Sequence, residues 1–169
     1  MIKGQKTQNM FLSYETHIKE FKESVIKVGL PEKVGGAIHE GSDLTVAQIG
    51  AVHEYGSPEN NIPKRSFIRE PLINEEKKIT NFIKSRFSAV GSNSMSAKKA
   101  LEQIGNMGAS ISKGSFTKNN WEANSDITIN GGWMIKNGKS FFVKGKKKST
   151  PLIDSGQLRN SITYVVEKS

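Results

Sequence analysis

The sequence predicts an α+β fold: three longer helices and two short capped helices packed on a small, mainly antiparallel sheet with a lysine-rich hairpin. Three observations carry this. Apolar residues recur at three- and four-residue steps in three long segments, the period of a helix with one buried face. Two short segments, at 44–56 and 153–162, begin with helix-start signals of the same kind. Asn137-Gly138 divides two apolar runs as a hairpin turn would, and a β-branched, alternating segment from Ile162 to Glu167 follows near the C-terminus.

Residues 1–9 are polar and read as a loose N-terminus, leaving 10–169 as one domain with a basic polar and hairpin region at about 112–150. From Phe11 to Val28 the stripe Phe11, Tyr14, Ile18, Phe21, Val25 and Val28 predicts the first helix, ended by Gly29 and Pro31. Val34–Ile38 is the natural first strand, although two glycines weaken it. A strand between two helices there fits either an α+β or an α/β layer arrangement.

Thr45 and Gln48 form a capping box for a helix over Val46–Tyr55, and Gly56 ends it, because a residue tolerant of positive φ fits best just past a helix. Val46, Ile49, Gly50 and His53 share one face of that helix, where Gly50 lets another backbone come close. Ser57–Arg69 is a proline-stiffened loop in which Lys64, Arg65 and Arg69 surround Phe67 and Ile68. Such an arm either docks on a partner or anchors the loop to the core.

Pro71 opens the second long helix, with Leu72, Ile79, Ile83, Phe87 and Val90 as its stripe. The third, from about Ala97 to Ile111, carries Leu101, Ile104, Met107 and Ile111, while Gly105, Gly108 and Ala109 thin one side for close packing. Residues 127–129 fit a strand or a short helix capped by Ser125. Trp133–Ile135 and Phe141–Val143 are the hairpin strands, their aromatics alternating as core residues would. Asp154 and Gln157 repeat the capping box before the last strand.

The net charge of +9 is unevenly placed. Residues 1–80 hold 11 Lys/Arg and 11 Asp/Glu, whereas residues 81–169 hold 14 and 5. The excess points to a polyanion or an acidic partner near the second half, or to a solvated face. No apolar run approaches the ~20 residues that span a bilayer, so no membrane association is expected. Nor does a secretory signal appear, and with no cysteine there are neither disulfides nor thiolate metal sites. A soluble protein of the cell interior, or one released by lysis, is expected.

No motif supports catalysis. His39-Glu40 and His53-Glu54 each begin like the zinc-protease HExxH, but Asp43 and Ser57 stand where the second histidine is needed. The glycine-rich phosphate loops and the nucleophile elbow are also missing. The chain is expected to be no enzyme and to need no cofactor or metal. Lys136, Lys139, Lys144, Lys146, Lys147 and Lys148, interleaved with Trp133, Phe141 and Phe142, give a second possibility: sequence-independent nucleic-acid binding.

AQIGAVHEYGSPENNIPKRSFIREPL, NWEANSDITI and PLIDSGQLRNSITYVV occur in this order and together point further. They resemble the HE-[FY]-G … IP-x-R-x-F-[IL]-R, W-x-x-x-S-x-x-T and L-[IV]-D-[ST]-G-x-L-x-x-S-I segments of the tail-completion, virion-morphogenesis or neck proteins of long-tailed bacteriophages. Ser66 stands where that family often has proline, and Ser155 where it often has threonine. The resemblance implies an α+β virion protein of the tail or neck, assembled in the host cytoplasm into a homo-oligomeric ring, commonly hexameric. Such a ring would join head to tail beside a tail terminator, tail tube or head connector, without catalysis. On that expectation Pro63, Lys64, Arg65, Phe67, Ile68 and Arg69 lie at a subunit or partner interface. The six lysines of the hairpin region would then face DNA in the lumen.

Overall fold

A computed structural model describes residues 2–40, 42–118, 120–136, 138–147, 152 and 156–169, without the side chains of residues 2–11 and of Lys136. It is α+β: among the described residues, eight α-helices accompany two separate antiparallel strand pairs. The helices are α1 (Ile2–Lys22), α2 (Glu32–Gly35), α3 (Val46–Tyr55), α4 (Arg69–Asn74), α5 (Glu76–Gly91), α6 (Ala97–Lys118), α7 (Asp126–Asn130) and α8 (Gln157–Ser161). The strands are β1 (Ser24–Gly29), β2 (Gly131–Lys136), β3 (Lys139–Lys144) and β4 (Thr163–Lys168). A 3-10 turn, Pro58–Asn60, interrupts the arm.

The long helix α6 is the central element. Its buried residues Ala97, Ala100, Leu101, Ile104, Gly105, Gly108, Ala109, Ser112 and Phe116 keep helical spacing along its length. Small residues on that face let the β1–β4 pair lie close. A Cβ on Gly105 would come within 2.2 Å of the Tyr164 ring, and one on Gly108 within 2.8 Å of Val28. At the start of α6, Ala97 and Ala100 pack with Val90 of α5 and with Ile18 and Phe21 of α1. Phe21 also meets Phe87, their ring centroids 5.5 Å apart.

Several expectations need correction. The first helix stops at Lys22 instead of Val28, because Ser24–Gly29 pairs antiparallel with Thr163–Lys168, at the far end of the chain. Val25 and Val28 fit a helical stripe, but their β-branched run also suits a strand once a partner is present. Residues 2–9, read as loose, belong to α1. The expected strand at Val34–Ile38 is instead the short α2, followed by a single bridge from Ile38 to Thr45.

Pro71 lies inside α4, which breaks from α5 at Glu75, and α6 runs on to Lys118 rather than stopping at Ile111. Residues 127–129 are helical, within α7. β2 and β3 pair antiparallel with Trp133 opposite Phe142, and Gly138 has a φ of 72°. Asn137 lies outside the described residues, as do Lys148 and Asp154. α8 starts at Gln157 behind a left-handed Gly156, with no side-chain cap, and the Gln157 amide is directed elsewhere, to the loop at residues 38–40.

The close approach of α6 to β4 gives a direct test. Gly105→Val would drive a side chain into the Tyr164 ring, and overpacking of this kind costs about 1–3 kcal/mol. A lowered urea midpoint with an unchanged slope is the expected result.

Candidate functional site

The capping box at Thr45 fixes the start of α3. Gln48 N–H donates to Thr45 Oγ1 at 3.2 Å, and Thr45 N–H donates to Gln48 Oε1 at 2.8 Å. Gly50 faces the Leu30 side chain rather than another backbone; a Cβ there would lie 2.3 Å from Leu30 Cδ1. One helical turn on from Gly50, on the same buried face, stands Glu54, only 6% exposed. A carboxylate so placed needs donors, since an unpaired buried charge is strongly unfavourable.

The arm supplies them. Glu54 Oε1 accepts from Ser66 Oγ at 2.6 Å and from the Arg69 N–H at 3.0 Å. Glu54 Oε2 accepts from the N–H groups of Phe67 at 2.8 Å and Ile68 at 3.0 Å. Ser66 Oγ in turn accepts from the Glu70 N–H at 3.0 Å. These amides surround the N-terminus of α4, which has no local side-chain cap. Glu54 and Ser66 therefore satisfy backbone donors that a helix start leaves unpaired, and the carboxylate also meets the positive end of the helix dipole. Burial alone would raise the Glu54 pKa; the Ser66 hydroxyl and the three backbone N–H groups outweigh it, and the net shift is downward.

Other bonds fix the rest of the arm. The Arg65 N–H donates to His53 O at 2.7 Å, and the Arg65 guanidinium donates to the carbonyl oxygens of Glu122 and Ala123. Burial lowers the Arg65 pKa, and the Glu122 charge opposes that shift. Trp121 Nε1–H donates to Ser66 O, and Ser115 Oγ–H to Phe67 O, both at 3.3 Å. The Phe67 ring enters the main core with Val46, Phe116, Leu158 and Ile162. Phe67 meets Phe116 edge-on at 5.3 Å, and Phe116 meets Trp121 at 5.5 Å.

Of the six arm residues expected at an interface, Arg65 and Phe67 are buried within the chain. Pro63 and Ile68 are half-buried. Lys64 is exposed and pairs with Glu70, while Arg69 is exposed with its guanidinium over the Tyr55 ring at 5.9 Å.

A cleft of about 410 Å³ opens beside the arm, and His39, His53, Arg65, Glu122 and Lys146 help to line it. The pKa of His53 is lowered to about 4, by burial first and then by the charges of Arg65, Lys146 and His39. Its Nδ1 has no hydrogen-bond partner among the described residues. His39 and His53 do approach one cleft, but among the described residues no group of three or more His, Cys, Asp or Glu side chains could hold a metal ion. No helix among them is long and apolar enough to cross a membrane.

The hairpin differs from expectation in another way. Trp133, Ile135 and Phe142 share one face of the strand pair, and that face is exposed, with Trp133 at 72% and Ile135 at 78%. These side chains are not core. Lys139, Lys144, Lys146 and Lys147 are exposed as well. Comparison with models of protein families, with curated proteins and with solved structures finds no match.

Glu54→Ala would strand four donors in a buried place, and a loss of about 3 kcal/mol or more is expected in urea denaturation. For His53, the unfolded chain binds a proton near pH 6.5 while the folded chain resists it until about 4. Stability is therefore full above the higher value and falls as pH drops through this window. His53→Gln should lose less stability than the parent chain between pH 7 and about 4.5, measured by urea midpoints.

Proposed function

We propose that this chain is a non-enzymatic structural protein of a bacteriophage virion, completing the tail or neck so that it joins the head. In this reading it works in a homo-oligomeric ring beside other neck or tail proteins. One observation carries the proposal beyond sequence resemblance. The three segments that resemble the tail-completion and neck proteins are far apart in sequence, yet they meet around one buried carboxylate and one aromatic cluster.

HEYG supplies Glu54, and RSFIR supplies its donors and Phe67. The NWEANSD segment supplies Trp121 and the carbonyls that hold Arg65. The C-terminal segment supplies Leu158 and Ile162 to the same core. A set of residues that cooperate in one packed unit is a stronger basis for resemblance than scattered matches. Among the described residues, the motif side chains hold a scaffold together.

Deleting the gene from the encoding phage genome and imaging the lysates by electron microscopy tests the proposal. Filled heads and separate, unjoined tails are expected. Normal infectious particles would contradict it.

A further inference from the structure

A second cleft, of about 440 Å³, lies between α4–α5 and the C-terminal half of α6, with Asn120 and Trp121 beside them. Its volume is that of a small-molecule site. Pro71, Met107, Ile111 and Trp121 supply its apolar surface, and all four are half-buried. Met107 and Ile111 keep the spacing of an apolar stripe along α6, yet the packing of the chain leaves them partly open here.

Gly114 lines the same cleft. The two glycines before it in α6 have close neighbours that require them, Tyr164 at Gly105 and Val28 at Gly108. At Gly114 a Cβ would meet no atom within 4 Å, and the residue lies inside the helix with no positive φ. A glycine in a helix interior is destabilising relative to alanine. The helix therefore gives up stability for a gap that the chain itself does not fill.

The charges that line the cleft are paired within the chain. Glu75 meets Lys118 at 3.7 Å and Lys78 at 3.8 Å, and Glu70 pairs with Lys64. An ionic ligand would find no unpaired charge there to answer its own. The other polar groups are uncharged: the Asn74 and Asn120 amides and the Ser110 hydroxyl are exposed along the cleft and can both donate and accept. Met107 and Trp121 favour an aromatic ring, through sulfur–ring and ring–ring contacts.

We propose that this cleft binds a small, uncharged aromatic molecule with a hydrogen-bonding edge. The ring lies on Met107, Ile111 and Trp121, in the space that Gly114 leaves, and its edge meets an asparagine amide. The inference does not depend on the virion function proposed above.

Indole is the probe, titrated into the isotope-labelled full chain and followed by amide NMR spectra. A ligand of this size should bind with a dissociation constant of about 1 mM. Saturable shifts are expected at Met107, Ile111, Gly114 and the Trp121 indole N–H. Gly114→Leu should weaken binding at least about tenfold by filling the cleft. The same variant should raise the urea midpoint, because its side chain enters open space and improves the helix. Trp133→Ser, which removes an exposed aromatic of the hairpin, should bind indole as the parent does. Indoleacetate, the same ring carrying a carboxylate, should bind more weakly, by about threefold or more.

No saturable shift up to about 10 mM indole would overturn the proposal. So would shifts confined to the β2–β3 pair, or parent-like affinity in Gly114→Leu. Equal or tighter binding of indoleacetate would overturn the uncharged class of ligand.

Discussion

Glu54 holds a carboxylate where almost none of it meets water, and it keeps its charge because four donors converge on its two oxygens. Desolvation of such a group is prohibitive unless each lone pair is used. The bonds therefore fix the backbone from Ser66 to Arg69 as firmly as they fix the carboxylate. They also start α4, a helix whose own sequence offers no cap. One side chain on α3 thus determines where the arm goes, where the next helix begins and which way Phe67 points.

The rest of the core follows from that placement. Phe67 stands between α3 and α6, where Phe116 and then Trp121 continue the aromatic contact. Trp121 returns a hydrogen bond to Ser66, and Arg65 reaches the carbonyls just beyond Trp121. The segment after α6 is thereby tied to the arm by both a donor and an acceptor. Midway along α6, Gly105 and Gly108 let β4 and β1 approach, so residues 24–29 and 163–168 pair across the same helix. Gln157 links α8 to the loop at residues 38–40 through its side-chain amide.

What was legible in the sequence was local. The Thr45–Gln48 box and the Gly56 stop are visible because every partner lies within one turn, and both ends of α3 stand as expected. The stripe of α6 was legible only in part: Leu101 and Ile104 are buried beside Gly105, Gly108 and Ala109, whereas Met107 and Ile111 are half-buried. The β1–β4 pairing was not legible, because Val25 and Val28 satisfy either period until a strand 140 residues away supplies hydrogen bonds. Glu54 was passed over because its partners are mostly backbone N–H groups, which no motif of residue types records. Its position four residues after Gly50 on the Val46 face was the available signal: an acid on an apolar face must have donors. The hairpin aromatics misled in the opposite direction. Alternation places them on one face of a strand pair but says nothing about whether the same chain covers that face.

Glu54, Arg65 and Phe67 hold α3, the arm and the C-terminal segment together as one scaffold. All of this depends on the arm being rigid, and native-state hydrogen exchange measures that directly. The account predicts that the amides of Phe67, Ile68 and Arg69 exchange only on global unfolding, with protection matching that of the α6 core. Exchange of these three amides at the rate of an open loop, while α6 stays protected, would contradict it.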